Sequence, residues 1–204
     1  GDDVRRLAGP WPELVAGRAF RPRSHGRASH GGGDHIGLAE GVMEPASTRP
    51  PRARGSRAER AIEVFLAGDV MTGRGVDQIM AHPSDPEIFE SWLRDARAYV
   101  ELAEAVNGPI PRAVGADYVW GDALADLERA DVRVVNLETS VTTSDDAWPG
   151  KGIHYRMHPD NVGCLTVAGI DVCVLANNHV LDWGRAGLVE TIETLQSVGI
   201  RTAG

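Results

Sequence analysis

Three apolar runs of the 204-residue sequence stop at side chains that bind cations or transfer protons. The side chains at the three ends are those of Asp69, Glu138, Asn178 and His179. Carboxylates and amides offer the oxygen ligands that hard divalent cations prefer, and an imidazole is both a proton carrier and a ligand of borderline metals. The set therefore suits a divalent cation such as Mn²⁺, Mg²⁺, Fe²⁺ or Zn²⁺.

The third end carries the densest group of polar residues, because Asn177 and Asn178 precede His179 and Asp182 follows it. A carboxylate three residues after a histidine can hold the imidazole in one orientation and fix its tautomer. We expect Asp182 to orient His179 in this way.

The runs that deliver these groups read as buried strands at residues 62–66, 132–137 and 171–176. Helical patterns lie between them, which predicts right-handed crossovers and an α/β fold with a mostly parallel sheet and flanking helices. The carboxyl ends of parallel strands share one edge, where α/β proteins place their chemistry. The three polar ends are therefore expected to meet.

The predicted helices begin near residues 84, 121, 159 and 184. The first is predicted from a capping box of Ser84 and Glu87 and ends at Asn107, with Trp92 and Tyr99 on its core face. Gly68 is interpreted as a tight exit from the first strand, and a fourth strand is predicted from Gly199.

Charge divides the chain into two parts. Residues 1–60 carry 11 Arg against 7 acidic residues, and the remainder carries 10 basic against 22 acidic residues. The Gly-, Arg- and Pro-rich residues 1–58 are expected to be disordered or of low complexity, and residues 59–204 to form one domain whose C-terminal part is incomplete. The acidity of that domain argues against a nucleic-acid partner.

No apolar run is long enough for a membrane span, and the N-terminus lacks the apolar core of a signal peptide. The cytoplasm is then the default expectation for this chain. Cys164 and Cys173 lie in apolar surroundings, which favours buried free thiols over a disulfide or a metal role.

Three motifs in this order resemble the N-terminal motifs of the CapA family of bacterial poly-gamma-glutamate capsule synthesis proteins. They are Gly68-Asp69-Val70-Met71, Asn136-Leu137-Glu138-Thr139 and Ala176-Asn177-Asn178-His179 with Asp182 and Gly184. The resemblance covers about residues 60–204 and implies the N-terminal half of a calcineurin-like metallophosphoesterase sandwich. It also implies an association with the cell envelope, where the family is often found.

The resemblance also implies individual roles. Asp69, Glu138 and Asn178 would ligate the metal, and His179 would be catalytic, with Asp182 orienting it. Met71 stands where the superfamily's first motif has a histidine, and the C-terminal histidine motifs of the superfamily are absent from the sequence.

Four further residues are candidates for contact with substrate: Asn136 and Asn177 within the motifs, and Tyr155 and Arg156 in a short rim segment. The substrate would be an anionic polymer or a phosphoester, and capsule synthesis proteins are possible partners. Two functions remain open: a metal-dependent hydrolase, and a non-catalytic assembly component that binds polymer or a partner at the same edge. A purely structural role of the polar residues in capping strands is the third interpretation.

Overall fold

The computed structural model describes residues 61–204, which form a layer of helices packed on one parallel sheet. The strands are β1 (Val64–Val70), β2 (Val132–Leu137), β3 (Ser140–Val141), β4 (Arg156–Met157), β5 (Val172–Val174) and β6 (Arg201–Ala203). The helices are α1 (Gly75–Ile79), α2 (Arg97–Asn107), α3 (Ala123–Arg129), α4 (Gly163–Val167) and α5 (Gly184–Ser197). The predicted segment 1–58 lies outside the described residues. Among residues 61–204, none of the helices has the length and apolar character needed to cross a bilayer.

The main sheet has the strand order β1-β2-β5-β6, and every neighbouring pair is parallel. β3 and β4 form a separate parallel pair beside it. Parallel neighbours require a crossover, and the helices between β1, β2, β5 and β6 supply it. The predicted α/β fold with a mostly parallel sheet is confirmed.

The two faces of the main sheet have different surroundings. We call one the covered face; its residues include Phe65, Arg133, Val135, Leu137 and Cys173. They pack with residues from all five helices, and Val135 and Cys173 are fully buried. Successive side chains of a strand point to opposite faces, so the alternate residues form the second face.

We call that second face the open face; its apolar residues are Val64, Leu66, Val132, Val134, Val172 and Val174. Leu66 is 72% exposed and Val64 is 49% exposed, although both are strand residues of a parallel sheet. Such sheets are usually covered on both faces. The helices of residues 61–204 therefore stabilise the sheet from one side.

A bulge in β1 determines where Asp69 points. Ala67 pairs with Val135, but Asp69 pairs with Asn136, so one residue of β1, Gly68, has no partner in β2. Simple alternation would place Asp69 on the covered face, and the extra residue moves it to the open face beside Asn136. The predicted strand end at Leu66 with a tight exit at Gly68 is wrong, because β1 continues to Val70.

The helix predicted from Ser84 begins only at Arg97. The Ser84 N–H donates to the buried Asp77 carboxylate at 2.6 Å, and Ala96 N donates back to the Pro86 carbonyl at 2.8 Å. These contacts give the backbone an alternative to the helix, and the segment doubles back on itself. Trp92, predicted to be core, is 54% exposed.

Other predictions agree with the structure or differ in detail. The second strand has its predicted bounds, whereas the third is shorter, and the region predicted as a loop after Glu138 contains β3. Cys164 and Cys173 are free and buried, as predicted. Burial raises the pKa of each thiol to about 12.

Candidate functional site at the carboxyl ends of the strands

The side chain of Asn136 joins the two predicted carboxylate ligands. Its amide nitrogen donates to Asp69 Oδ1 at 2.7 Å and to Glu138 Oε2 at 3.0 Å. Asn136 and Glu138 are two residues apart, and the bulge brings Asp69 into register with Asn136. Segments almost 70 residues apart in the chain therefore present their carboxylates to one amide.

The two carboxylates influence each other's protonation. Burial and the neighbouring Asp69 raise the pKa of Glu138, while the hydrogen bond from Asn136 and the contact with Glu138 lower the pKa of Asp69. Two close carboxylates resist double ionisation, so one of them retains a proton more readily. A cation placed between them would remove the same repulsion.

Asn177 fixes the loop after β5 to the same end of the sheet. Its amide nitrogen donates to Asn136 Oδ1 and to the Leu137 carbonyl, each at 3.0 Å, and its Oδ1 accepts from His179 N at 2.9 Å. Asn177 and Asn136 thus form a chain of amides that leads to the carboxylates. The hydrogen bonds of Asn136 and Asn177 connect β2 with Asp69 in β1 and with the loop after β5. Both amides therefore fix the relative positions of the candidate site residues.

The predicted metal ligand Asn178 differs from its neighbour. Its side chain is exposed, and its amide makes no hydrogen bond within residues 61–204. Its backbone carbonyl accepts a short hydrogen bond from Lys151 Nζ. The amide of Asn178 is therefore available to a ligand that comes from solvent.

The contact predicted between His179 and Asp182 is present. His179 Nδ1 lies 2.7 Å from Asp182 Oδ2, and its Nε2 lies 3.7 Å from Glu138 Oε1. Asp182 is fully buried, and it also accepts from Tyr155 N at 2.6 Å and from Lys151 Nζ. Tyr155 and Lys151 thus fix the Asp182 carboxylate, and Asp182 in turn fixes the imidazole of His179 at Nδ1. The other ring nitrogen, Nε2, faces Glu138.

Tyr155 and Arg156, predicted together as rim residues, have different positions. The Tyr155 ring stacks on the His179 ring with centroids 4.0 Å apart, and the Arg74 guanidinium lies 4.7 Å from the Tyr155 centroid. Arg156 is buried over the Trp183 ring and donates to Ser144 O and Asp145 Oδ1. Tyr155 thus lies at the site, and Arg156 makes contacts within the protein.

Two basic residues of the site were missed by sequence reasoning. Lys151 reaches Asp182 from a loop that the sequence marks only as polar, and Arg74 reaches Tyr155 from the loop after β1. Lys151 is the single lysine of the whole sequence, which is the one local signal that could have drawn attention to it. Arg74 has a φ of 51°, a backbone conformation that residues other than glycine rarely adopt.

The donor set can be compared with the needs of a divalent cation. Asp69, Glu138 and Asn178 would offer two carboxylates and an amide, an oxygen set that fits Mg²⁺ or Mn²⁺, which keep several waters as further ligands. Within residues 61–204, no three His, Cys, Asp or Glu side chains form a ready metal-binding group.

Comparison with known proteins identifies related chains. The family profile described as bacterial capsule synthesis protein PGA_cap matches residues 63–204. Probable polyglutamine synthesis accessory proteins of Mycobacterium tuberculosis strains CDC 1551 and H37Rv are each 50% identical over 145 residues. That alignment covers 70% of this chain and 38% of each relative.

A more distant relative is the capsule biosynthesis protein CapA of Bacillus anthracis, 26% identical over 126 residues, which are 60% of this chain and 29% of the relative. The matched region contains the whole main sheet and every residue of the site described above. The chain belongs to the PGA_cap family of bacterial capsule synthesis proteins, whose fold is metallophosphoesterase-like.

Proposed function

We propose that the carboxyl ends of β1, β2 and β5 carry a divalent-metal-dependent, phosphoesterase-like hydrolytic site that serves the synthesis of a capsule polymer. The observation that supports this most strongly is the pair of carboxylates on one amide, with the imidazole of His179 3.7 Å from Glu138. Paired acids beside a held imidazole suit metal-assisted ester hydrolysis.

Each residue has a distinct task in this proposal. Asp69, Glu138 and Asn178 hold the cation, which when bound lowers the pKa of a water ligand and polarises the ester oxygen. His179 transfers a proton at Nε2 to the leaving oxygen, and Asp182 keeps Nδ1 engaged so that Nε2 faces the substrate. Lys151 and Tyr155 N complete the hydrogen bonds of Asp182 and hold it in place.

The biological setting is proposed from the relatives. Two of them are named for polyglutamine synthesis and one for capsule biosynthesis, so the proposed polymer is a capsule chain of polyglutamine type. The chain spans 38% of the length of its mycobacterial relatives, so the activity of a protein of their full length is itself part of the proposal.

The proposal is tested by hydrolysis of p-nitrophenyl phosphate with and without Mn²⁺ in a protein that contains this chain and has the full length of the relatives. We expect Mn²⁺-dependent turnover that falls at least about a hundredfold in His179→Ala. His82→Ala is the matched control, because His82 is exposed and its hydrogen bonds use only its backbone. Turnover that is unchanged in His179→Ala, or unaffected by removal of Mn²⁺, would contradict the proposal.

The second candidate is a non-catalytic component that binds polymer or a partner at the same edge. One observation favours it: the Asn136 amide donates a hydrogen bond to each of the two carboxylates and so links them through the protein itself. In that case polymer binding falls in Glu138→Ala and His179→Ala while no ester is hydrolysed. A full-length protein with metal-dependent turnover would eliminate this candidate.

A further inference from the structure

Tyr155 contacts the pair formed by His179 and Asp182 twice, through its backbone and through its ring. Its N–H donates to Asp182 Oδ2 at 2.6 Å, and its ring stacks on the His179 ring with centroids 4.0 Å apart and planes inclined by 23°. The hydrogen bond at Nδ1 fixes one point of the imidazole, and a ring held at one point can still tilt about it. The stacked tyrosine ring limits that tilt, so it helps to determine where Nε2 points.

The guanidinium of Arg74 packs against the Tyr155 ring. Its Cζ lies over two aromatic rings, 4.7 Å from the centroid of Tyr155 and 5.0 Å from the centroid of Tyr99. A cation over an aromatic face is attracted by the ring quadrupole, and a planar guanidinium can also stack on the ring. Arg74 therefore links Tyr99 to the ring that lies on His179.

A buried carboxylate holds Arg74 in this position. Glu90 is fully buried; its Oε1 lies 2.6 Å from Arg74 Nε, and its Oε2 accepts a short hydrogen bond from the Tyr99 hydroxyl. Burial and this hydrogen bond raise the pKa of Tyr99 to about 12, so the hydroxyl keeps its proton and remains a donor. A buried carboxylate that loses its partner is strongly destabilising, so Glu90 and Arg74 fix each other.

The backbone of Arg74 is strained. Its φ of 51° and ψ of −132° are angles that glycine adopts at low cost and that residues with a Cβ rarely adopt. Such strain persists where the surrounding contacts over-determine the conformation, and it clusters at functional sites. For Arg74 those contacts are made by the side chain, with Glu90, Tyr99 and Tyr155.

We infer that Arg74, anchored by Glu90, is a positioning residue that holds the Tyr155 ring and, through it, the imidazole of His179. Arg74 and Glu90 act through Tyr155 and transfer no proton themselves. The inference rests on the proposed function, since the imidazole they position is the group that protonates the leaving oxygen. It adds to that function a buried ion pair on which the orientation of the proton donor depends.

The first test is NMR of the 204-residue chain without metal. It follows the carbon-bound ring protons of His179, whose signals the ring current of a stacked Tyr155 moves upfield. Tyr155→Leu removes the ring and keeps the backbone bond to Asp182, so it gives the unstacked reference position. We expect Arg74→Lys, which keeps the charge beside Glu90 and lacks the planar guanidinium, to move the signals at least about halfway to that reference.

The second test is kinetic and uses a protein of the relatives' full length with Mn²⁺ and p-nitrophenyl phosphate. Arg74→Lys should lower kcat about tenfold and change KM by less than about twofold, because a tilted imidazole weakens the transition state and not the binding of substrate. Arg112→Lys is the matched control for both tests, since Arg112 also pairs with a glutamate, Glu104, at 2.9 Å and makes no contact with Tyr155 or His179 within residues 61–204.

His179 signals that stay in place in Arg74→Lys, or that move equally in Arg112→Lys, would overturn the inference. A higher KM at unchanged kcat would also overturn it, because Arg74 would then bind substrate directly. If Arg74→Lys does not fold, the double variant Arg74→Gly with Glu90→Gln removes both charges and the backbone strain, and its His179 signals decide in the same way. The NMR test needs neither metal nor turnover, so it stands if hydrolysis fails, and His179→Ala still tests hydrolysis if the positioning role fails.

Discussion

The covered and open faces of the main sheet have similar residues and different surroundings. Val135 and Leu137 on the covered face are buried among helices, whereas Val64 and Leu66 on the open face are exposed. The carboxylate site lies with the open face, because Asp69 pairs with Asn136 after the bulge. The covered face therefore carries the packing that stabilises the sheet, and the open face carries the carboxylates of the candidate site. Substitutions on the two faces can separate stability from the role of the site.

The sharpest contrast is expected in thiol reactivity. Burial raises the pKa of Cys173 on the covered face from 9.0 to about 12, so its thiolate population at pH 8 falls about a thousandfold. A thiol reagent should therefore label Cys173 only when the protein unfolds. A cysteine introduced by Val64→Cys on the open face should label at the rate of an exposed thiol. Equal rates for the two would show that the covered face is accessible to solvent.

Next in size is a matched pair of leucine substitutions. Leu137→Ala removes a side chain that is 1% exposed, and it should lower the free energy of unfolding by about 2–5 kcal/mol. Leu66→Ala, on the open face, should change it by no more than about 0.5 kcal/mol. Urea unfolding measures both. If Leu66→Ala lowers the free energy of unfolding as much as Leu137→Ala does, the open face is packed in solution and the two faces do not differ in burial.

A smaller loss of stability is expected at the site. Asp182→Asn replaces one carboxylate oxygen by an NH₂ group, which must then face donors from Lys151, Tyr155 or His179. The unsatisfied donors should cost about 1–3 kcal/mol in urea unfolding. Asp160→Asn is the control, because the side chain of Asp160 is 66% exposed. Equal costs for the two variants would mean that the contacts of Asp182 are not held in solution.

The strands and their shared edge could be predicted from sequence because apolar runs and parallel topology are local and general signals. The direction of Asp69 could not be derived in this way. The sequence predicts its approach to Glu138 through an exit turn at Gly68, whereas the structure achieves it through a bulge inside β1. The register of a neighbouring strand, which decides the face, is not encoded in the residues around Asp69.

Two other differences have the same cause, contacts between residues distant in the chain. The capping box at Ser84 is overridden by the Asp77 carboxylate, which takes the Ser84 N–H, and by backbone pairing within residues 86–96. Lys151 acquires its role only because Asp182, 31 residues later, folds against it. Local sequence patterns predict the strands and the polar residues at their ends. The residues that orient those polar side chains come from distant parts of the chain, so only the folded structure identifies them.

Asp69 and Glu138, joined through Asn136, are proposed to share a divalent cation. Titration calorimetry with Mn²⁺ tests it most directly, on the 204-residue chain, its Asp69→Asn variant and a variant that lacks Gly68. We predict one saturable site in the unaltered chain, and affinity at least about tenfold weaker in both variants, since one loses the charge and the other returns Asp69 to the covered face. Absence of Mn²⁺ binding by the unaltered chain, or equal affinity in all three folded proteins, would contradict the account.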